Sequence, residues 1–265
     1  MRQAIRERGR MRAILITGGG SGIGRATAQL FAARGWRIGL ADIDADRLAA
    51  TAALLPAGAA IYAMDVCDRN AWAAMLEDFA RDGGFDVLFN NAGIAAGGPL
   101  AAMTGAAIDR VIAINLTAMI DGARLAYPYL KARSGSCLLN TASAAGIYGS
   151  PGLATYAATK CAVRGLTEAL DAEWAPDGIK VRALMPGFID TPLLDATLAG
   201  SNRSARDGVV AAGLEFTAVE RVAEAAWAAV HGDRLLWPIG PTARRLAFAA
   251  RWLPGRLRAK LRAGR

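Results

Sequence analysis

The chain has 265 residues, enough for one large core, with 54% hydrophobic residues and a formal net charge of +8 at pH 7. That charge is localised: residues 242–265 hold eight basic side chains and no acid, and residues 1–12 hold five arginines against Glu7, which leaves 13–241 at −4. A mildly acidic body gives no case for a nucleic-acid-binding fold, and one histidine, His231, leaves a Ser-His-Asp hydrolase or a histidine-ligated zinc site almost nothing to work with.

Met1 to Arg12 is a basic extension, and the apolar run behind it breaks at Gly18, too soon for a signal peptide; Met11 is an alternative start. No apolar stretch approaches the ~18 residues of a membrane span. Residues 13–17, Ala-Ile-Leu-Ile-Thr, make the short run of a strand buried on both faces. It leads into Gly18-Gly19-Gly20-Ser21-Gly22-Ile23-Gly24 and then a helical pattern from Arg25 to Arg34. Strand, glycine turn and helix form the context of a dinucleotide fingerprint: the glycines let backbone approach the pyrophosphate, and the helix start offers unpaired N–H groups to it. A second strand, Arg37–Ala41, ends on Asp42, eighteen residues after Gly24. An acid at that tip accepts hydrogen bonds from the adenosine ribose and repels a 2′-phosphate. Asp44 is the better helix N-cap and frees Asp42 for that task.

Further apolar runs at 59–64, 85–89, 137–139, 179–185 and 235–239 alternate with helical patterns, among them 106–131, 153–175 and 218–230. This alternation predicts an α/β fold, a Rossmann-type doubly wound parallel sheet of about seven strands with helices on both faces. The predicted organisation is a basic extension at 1–12, one Rossmann-type domain over 13–241, and a basic tail over 242–265. Asn115 falls inside a helical pattern, where a solvated asparagine is a fair reading. Ser143 follows the strand at 137–140 and by itself is an ordinary turn serine. Tyr156 and Lys160 lie four apart on one helix face, close enough to interact. A positive neighbour favours the phenolate and lowers a tyrosine pKa from ~10, making the phenol a usable acid and base. His231 closes the helix of 218–230 as a last-turn cation. Cys67, Cys137 and Cys161 show no ligand or disulfide spacing and fit reduced, buried thiols in a cytoplasmic protein.

Thr17-Gly18-x-x-x-Gly22-Ile23-Gly24, Asn90-Asn91-Ala92-Gly93, Asn115, Ser143, Tyr156-x-x-x-Lys160 and Pro186-Gly187 occur together in the order of the short-chain dehydrogenase/reductase family, and the chain resembles its compact branch over roughly residues 11–241. The resemblance implies that Tyr156 moves the proton, Lys160 tunes it and binds ribose, Ser143 polarises the substrate oxygen, and Asn115 holds a water linking Lys160 to solvent. It places Gly18, Ser21, Gly22, Ile23, Gly24 and Asp42 on the dinucleotide. Asp65 and Val66 would touch the adenine, and Asn91, Ala92 and Gly93 would line the groove. Pro186, Gly187, Ile189 and Thr191 would stand at the nicotinamide end. No metal is implied. The expected activity is NAD(P)-dependent hydride transfer between nicotinamide and a secondary alcohol or ketone; a catalytically silent dinucleotide sensor on the same fold is the alternative. Asp42, with Ile43 after it, favours NAD over NADP, and Arg25 is the one nearby cation within reach of a phosphate.

Ile147, Tyr148, Phe188, Leu193, Leu194, Leu198 and Leu214 would make an apolar cleft for a hydrophobic small molecule, with Arg203 and Arg206 leaving a charged substrate open. The resemblance implies a homodimer or homotetramer through the helices at 106–131 and 153–175. In the tail, Leu246, Ala249, Ala250, Leu253, Leu257 and Leu261 recur at helical spacing with Phe248 and Trp252 flanking, and Pro254-Gly255 divides two short helices. Two readings stand: a helix laid over a substrate cleft, or an amphipathic basic segment on anionic lipid.

Overall fold

Strands of four to seven residues, each followed by a helical crossover, form the sheet of the computed structural model, which describes residues 11–81, 84–95 and 97–263. The first half runs β1 (Ala13–Thr17), α1 (Gly22–Ala33), β2 (Arg37–Asp42), α2 (Ala45–Ala52), β3 (Ala60–Ala63), α3 (Arg69–Arg81) and β4 (Val87–Asn90). Then come α4 (Gly105–Ile112), α5 (Ala118–Lys131), β5 (Cys137–Thr141), α6 (Ala154–Trp174), β6 (Lys180–Pro186), α7 (Ala205–Ala211), α8 (Val219–His231) and β7 (Leu236–Ile239). Two helices close the chain, α9 (Pro241–Trp252) and α10 (Pro254–Ala263). Residues 1–10, most of the expected basic extension, lie outside the described residues.

All seven strands pair in parallel in the order β3-β2-β1-β4-β5-β6-β7. Side chains alternate across the pleat, so each strand feeds two cores. Ile14, Ile16, Leu40, Phe89 and Leu139 meet α1, α2 and α8 through Phe31, Leu48, Val222 and Ala226. Leu15, Leu88, Leu138 and Val181 meet α3, α5 and α6 through Trp72, Phe79, Ala126 and Trp174. Trp72 is wholly buried, and a Cβ at Gly122 would stand 2.6 Å from its ring, so the glycine sets how closely α5 approaches α3.

The order reverses at β1, whose neighbours are β2 on one side and β4 on the other. Loops leaving the carboxyl ends of β1 and β4 turn opposite ways and open a crevice, the ligand position of doubly wound sheets. Among the described residues no helix is long and apolar enough to cross a membrane.

Three expectations need correction. The helix read over 106–131 is interrupted by a π turn at Ala113–Thr117, between α4 and α5. Asn115 sits in that turn and is fully buried, where a solvated residue was one reading. Of the cysteines only Cys137 is buried; Cys67, in the turn after β3, and Cys161, on the outer side of α6, are exposed.

Candidate active site

At the end of β1 the chain must reverse into α1 within four residues. Gly18 does this at φ +66 and Gly22 at φ +48, the left-handed region where a Cβ is strained. A Cβ at Gly24 would overlap the Gly18 carbonyl oxygen, so no side chain fits there. Ser21 is the N-cap of α1, its hydroxyl makes no capping bond, and the first turn holds no acid. The initial N–H groups of a helix have no partner within it and carry partial positive charge, so this end suits an anion. Ile23 packs onto the first core and anchors the turn.

Asp42 ends β2 beside this turn. One carboxylate oxygen accepts the Gly20 N–H at 3.0 Å and the other accepts the Asp44 N–H at 3.2 Å, while Asp44 caps α2 through Arg47. Asp42 therefore also holds the turn in place. Arg25 is committed elsewhere: its guanidinium donates to the Gly20 carbonyl at 2.6 Å and to Thr51 Oγ1 at 2.9 Å. Asp65 and Val66 lie just past β3, where the Met64 N–H meets the Asp42 carbonyl at 2.8 Å. The Asp65 carboxylate accepts the Cys67 N–H, and the Val66 carbonyl accepts the Trp72 indole N–H.

Across the crevice, Asn91 ties three strands together. Its amide donates to the Thr17 carbonyl at 2.9 Å and accepts from Thr141 Oγ1 at 2.9 Å. The Thr17 hydroxyl in turn accepts the N–H groups of Asn91 and Ala92 at 2.9 and 3.0 Å. Gly93 lies over the deepest part. A Cβ there would stand 3.1 Å from Asn115 Oδ1 and 3.6 Å from Lys160 Nζ. The side chain of Asn115 clamps Ile94, accepting its N–H at 2.8 Å and donating to its carbonyl at 2.9 Å. One lone pair and one N–H of that amide remain for a water.

Ser143, Tyr156 and Lys160 converge past the end of β5. The Ser143 hydroxyl accepts the Ala145 N–H at 3.1 Å and stands close enough to the Tyr156 phenol to favour its ionised form. Lys160 Nζ donates to the Thr141 carbonyl at 2.9 Å and stands 5.8 Å from the Tyr156 ring centre. Burial dominates both titrations. It pushes the Tyr156 phenol above its ordinary value, against the lowering by Ser143, and pulls the Lys160 ammonium down to about 8. At the phenol desolvation outweighs the lowering by Ser143, so the net shift is upward in this arrangement.

The far wall follows β6. Pro186 is buried on that strand, the Gly187 N–H meets the Ile239 carbonyl at 3.0 Å, and Ile189 bridges to Thr217. Thr191 is buried and its methyl group faces the glycine turn, 3.0 Å from where a Gly22 Cβ would be. Thr191 therefore joins the two ends of the crevice. Arg206 holds this wall together: it donates to Asp195 at 2.7 Å, Asp190 at 2.6 Å and the Thr191 carbonyl at 3.3 Å. It is committed to the wall and is not a free site for a phosphate. The wall touches the opposite loop through the Ala199 N–H on the Gly97 carbonyl at 2.8 Å. Leu193 and Leu214 remain over a third exposed, while Tyr148 turns away to line a groove of about 700 Å³ between α6 and α10.

One functional position escaped the sequence reading and another was given a different role. Thr141 holds both Asn91 and Lys160 and, two residues before Ser143 at a strand end, was findable by position. Arg206, read as open to a charged substrate, braces Thr191 instead, and nothing local signalled that.

These residues fit a dinucleotide. The glycine turn is an open cradle beside an acid-free helix start, and Gly93 leaves clear the space that a Cβ would fill above Lys160.

The sequence profile of the short chain dehydrogenase family matches residues 12–201. The 3-oxoacyl-(acyl-carrier-protein) reductase FabG of Thermotoga maritima is 40% identical over 186 residues, 68% of this chain and 75% of that protein. The L-2,3-butanediol dehydrogenase of Corynebacterium glutamicum is 36% identical over 200 residues, 71% of this chain and 77% of that one. A short chain dehydrogenase/reductase of Burkholderia phymatum, solved in complex with NAD, superposes with a TM-score of 0.80 at 28% identity, over 94% of this chain and 95% of that one.

Proposed function

The chain belongs to the short-chain dehydrogenase family of oxidoreductases, and we propose that it interconverts a hydrophobic secondary alcohol and its ketone with NAD(H). The observation that carries this reading is the convergence of Ser143, Tyr156 and Lys160, with the ammonium 5.8 Å from the phenol ring and Ser143 acting on the phenol, at the open end of a glycine-turn crevice. When bound, the dinucleotide carries the hydride at C4 of its nicotinamide. The glycine turn and the start of α1 would hold its pyrophosphate, Asp42 its ribose, Asp65 and Val66 its adenine, and Ile189 and Thr191 its carboxamide end. Tyr156, protonated at neutral pH, gives its proton to the carbonyl oxygen during reduction and takes it back during oxidation. Ser143 hydrogen-bonds that same oxygen and fixes it against the phenol. Lys160, held by Thr141, binds ribose hydroxyls and passes protons toward the phenol, with any water at Asn115 completing the path outward.

NAD is favoured because Asp42 occupies the tip of β2, Ile43 after it is uncharged, and Arg25 is tied to Thr51 and Gly20. An apolar substrate suits a wall that presents Leu193 and Leu214 and spends Arg206 internally. The secondary alcohol class agrees with the butanediol dehydrogenase among the relatives. Closed-symmetry assembly through α4, α5 and α6 suits Ile112 and Ile120, 39% and 42% exposed, and the small exposed residues Ala154 and Ala158. Light scattering at micromolar concentration is expected to report a dimer or tetramer, and a monomer would refute the assembly.

The deciding experiment is a panel of secondary alcohols with NAD⁺, read by absorbance of the reduced nicotinamide. Tyr156→Phe is expected to lose at least ~10²-fold in kcat while still binding NADH. Near-normal turnover by that variant would refute the assignment.

A further inference from the structure

The tail helices leave one feature that the dehydrogenase reading does not use. Most of the apolar stripe expected in the tail is turned inward: Leu257 is buried, as is Ala243 on α9, and Leu246, Ala249, Ala250 and Leu261 are partly covered, while Leu253 is exposed. This much agrees with a tail laid on its own subunit. The aromatics point the other way. Phe248 is 60% exposed and Trp252 63%, with Leu253 at 38% where the chain turns into α10. They lie four apart on α9 and so form one ridge along the helix.

Arginines bracket that ridge. At 100° per residue Arg251 falls on one side of the Phe248–Trp252 line and Arg245 on the other, while Arg244 continues the line one turn earlier. Arg251 lies 5.1 Å from the Trp252 ring centre. Arg245 pairs with Glu215 at 3.3 Å, both groups largely exposed, a contact too weak to withhold it from another anion. Beyond the turn, α10 presents Arg256, Arg258, Lys260 and Arg262, all exposed, and 242–265 contains no acid. An outward aromatic ridge among guanidinium groups matches an interface in which rings enter the headgroup region and cations meet phosphate. A second copy docking ridge to ridge would instead bring arginine against arginine.

We propose that the Phe248–Trp252 ridge of α9, with its surrounding arginines, docks the protein reversibly on an anionic lipid surface. The buried stripe makes the tail part of the fold, so truncation is the wrong test and point substitution the right one. The full chain is expected to co-sediment with phosphatidylglycerol–phosphatidylcholine vesicles in low salt but not with phosphatidylcholine alone. Affinity should fall at least ~10-fold on going to near-physiological salt. Phe248→Ser/Trp252→Ser, with unchanged unfolding midpoint and oligomeric state, should cut vesicle binding at least ~10-fold. Trp252→Phe should still bind yet lose the vesicle-induced blue shift of tryptophan emission. No sedimentation of the full chain in low salt, equal binding to neutral vesicles, undiminished binding by the double serine variant, or a change of oligomeric state in that variant would each overturn the proposal. None of these readouts involves turnover, so they stand or fall apart from the assignment of Tyr156.

Discussion

The floor of the crevice and its outer wall are built from different materials. The floor, from Thr17 to Asp42 and from Asn91 to Lys160, is held by short bonds to backbone: Gly20 to Asp42, Asn91 to Thr17, Lys160 to Thr141. The wall at 188–217 leans more on side chains: beside backbone bonds such as Ala199 to Gly97 and Thr217 to Phe188, it depends on one arginine bridging two exposed carboxylates and on a leucine resting on a glycine. Backbone cannot give way, whereas side-chain tips can. Such a division lets one region fix a common ligand while the other is free to vary with the substrate.

Paired alanine substitutions test that contrast most severely. Gly24→Ala would drive a methyl into the Gly18 carbonyl and is expected to cost more than ~4 kcal/mol in chemical denaturation, or to prevent folding. Gly97→Ala meets the side-chain tips of Leu198 at 2.6 Å and Leu153 at 3.3 Å, with the nearest backbone atom at an ordinary 3.4 Å, and is expected to cost under ~1 kcal/mol. Equal costs would erase the distinction between floor and wall.

Lys160 tests the floor by titration. Its folded pKa of about 8 lies below the ordinary 10.5, so the unfolded chain holds more protons between those values. The lysine should therefore raise the stability of the cofactor-free protein as pH increases above 8, contributing up to about 3 kcal/mol by itself. The raised thiols of Cys137 and Cys67 work oppositely above their ordinary 9, and the raised phenol of Tyr156 above its ordinary 10, so only the window from 8 to 9 belongs to the lysine. Lys160→Met should be roughly 1–3 kcal/mol more stable at pH 7 and flat across that window. A wild-type profile without the rise would show that the ammonium is not desolvated.

Smaller effects distinguish the two regions by ligand. Asp42→Ala should shift the NAD⁺ to NADP⁺ ratio of kcat/KM by at least ~10-fold toward NADP⁺, about 1.4 kcal/mol. Arg206→Ala should raise KM for the alcohol several-fold with under ~1 kcal/mol lost from stability, since its partners are exposed. A loss confined to NADH affinity would place Arg206 with the floor.

What the residues disclosed in advance follows the same division. Apolar runs located all seven strands to within two residues: the interior parallel strands are buried on both faces and need such a run, and the half-exposed edge strands β3 and β7 still carry a short one. The glycine turn was legible because backbone geometry there tolerates few residue types. The π turn at Ala113–Thr117 was not, since an i to i+5 hydrogen bond leaves no compositional mark. Arg206 and the aromatic ridge were misjudged because their surroundings come from residues distant in sequence or from which helix face the body covers. The rise in the Tyr156 pKa was missed for a related reason: the Tyr-x-x-x-Lys spacing reveals a neighbour but not the depth of burial.

Asn91 has a consequence for how the chain acquires its site. Its bonds reach back 74 residues to Thr17 and forward 50 to Thr141. Every strand pairs in parallel, so no local hairpin is available to start the sheet, and non-local pairing makes folding slow. A nascent chain that has not yet emerged past β5 carries the complete glycine turn but cannot close the crevice around it. Until then its apolar strands are exposed, which makes synthesis, more than the finished protein, the stage most prone to aggregation.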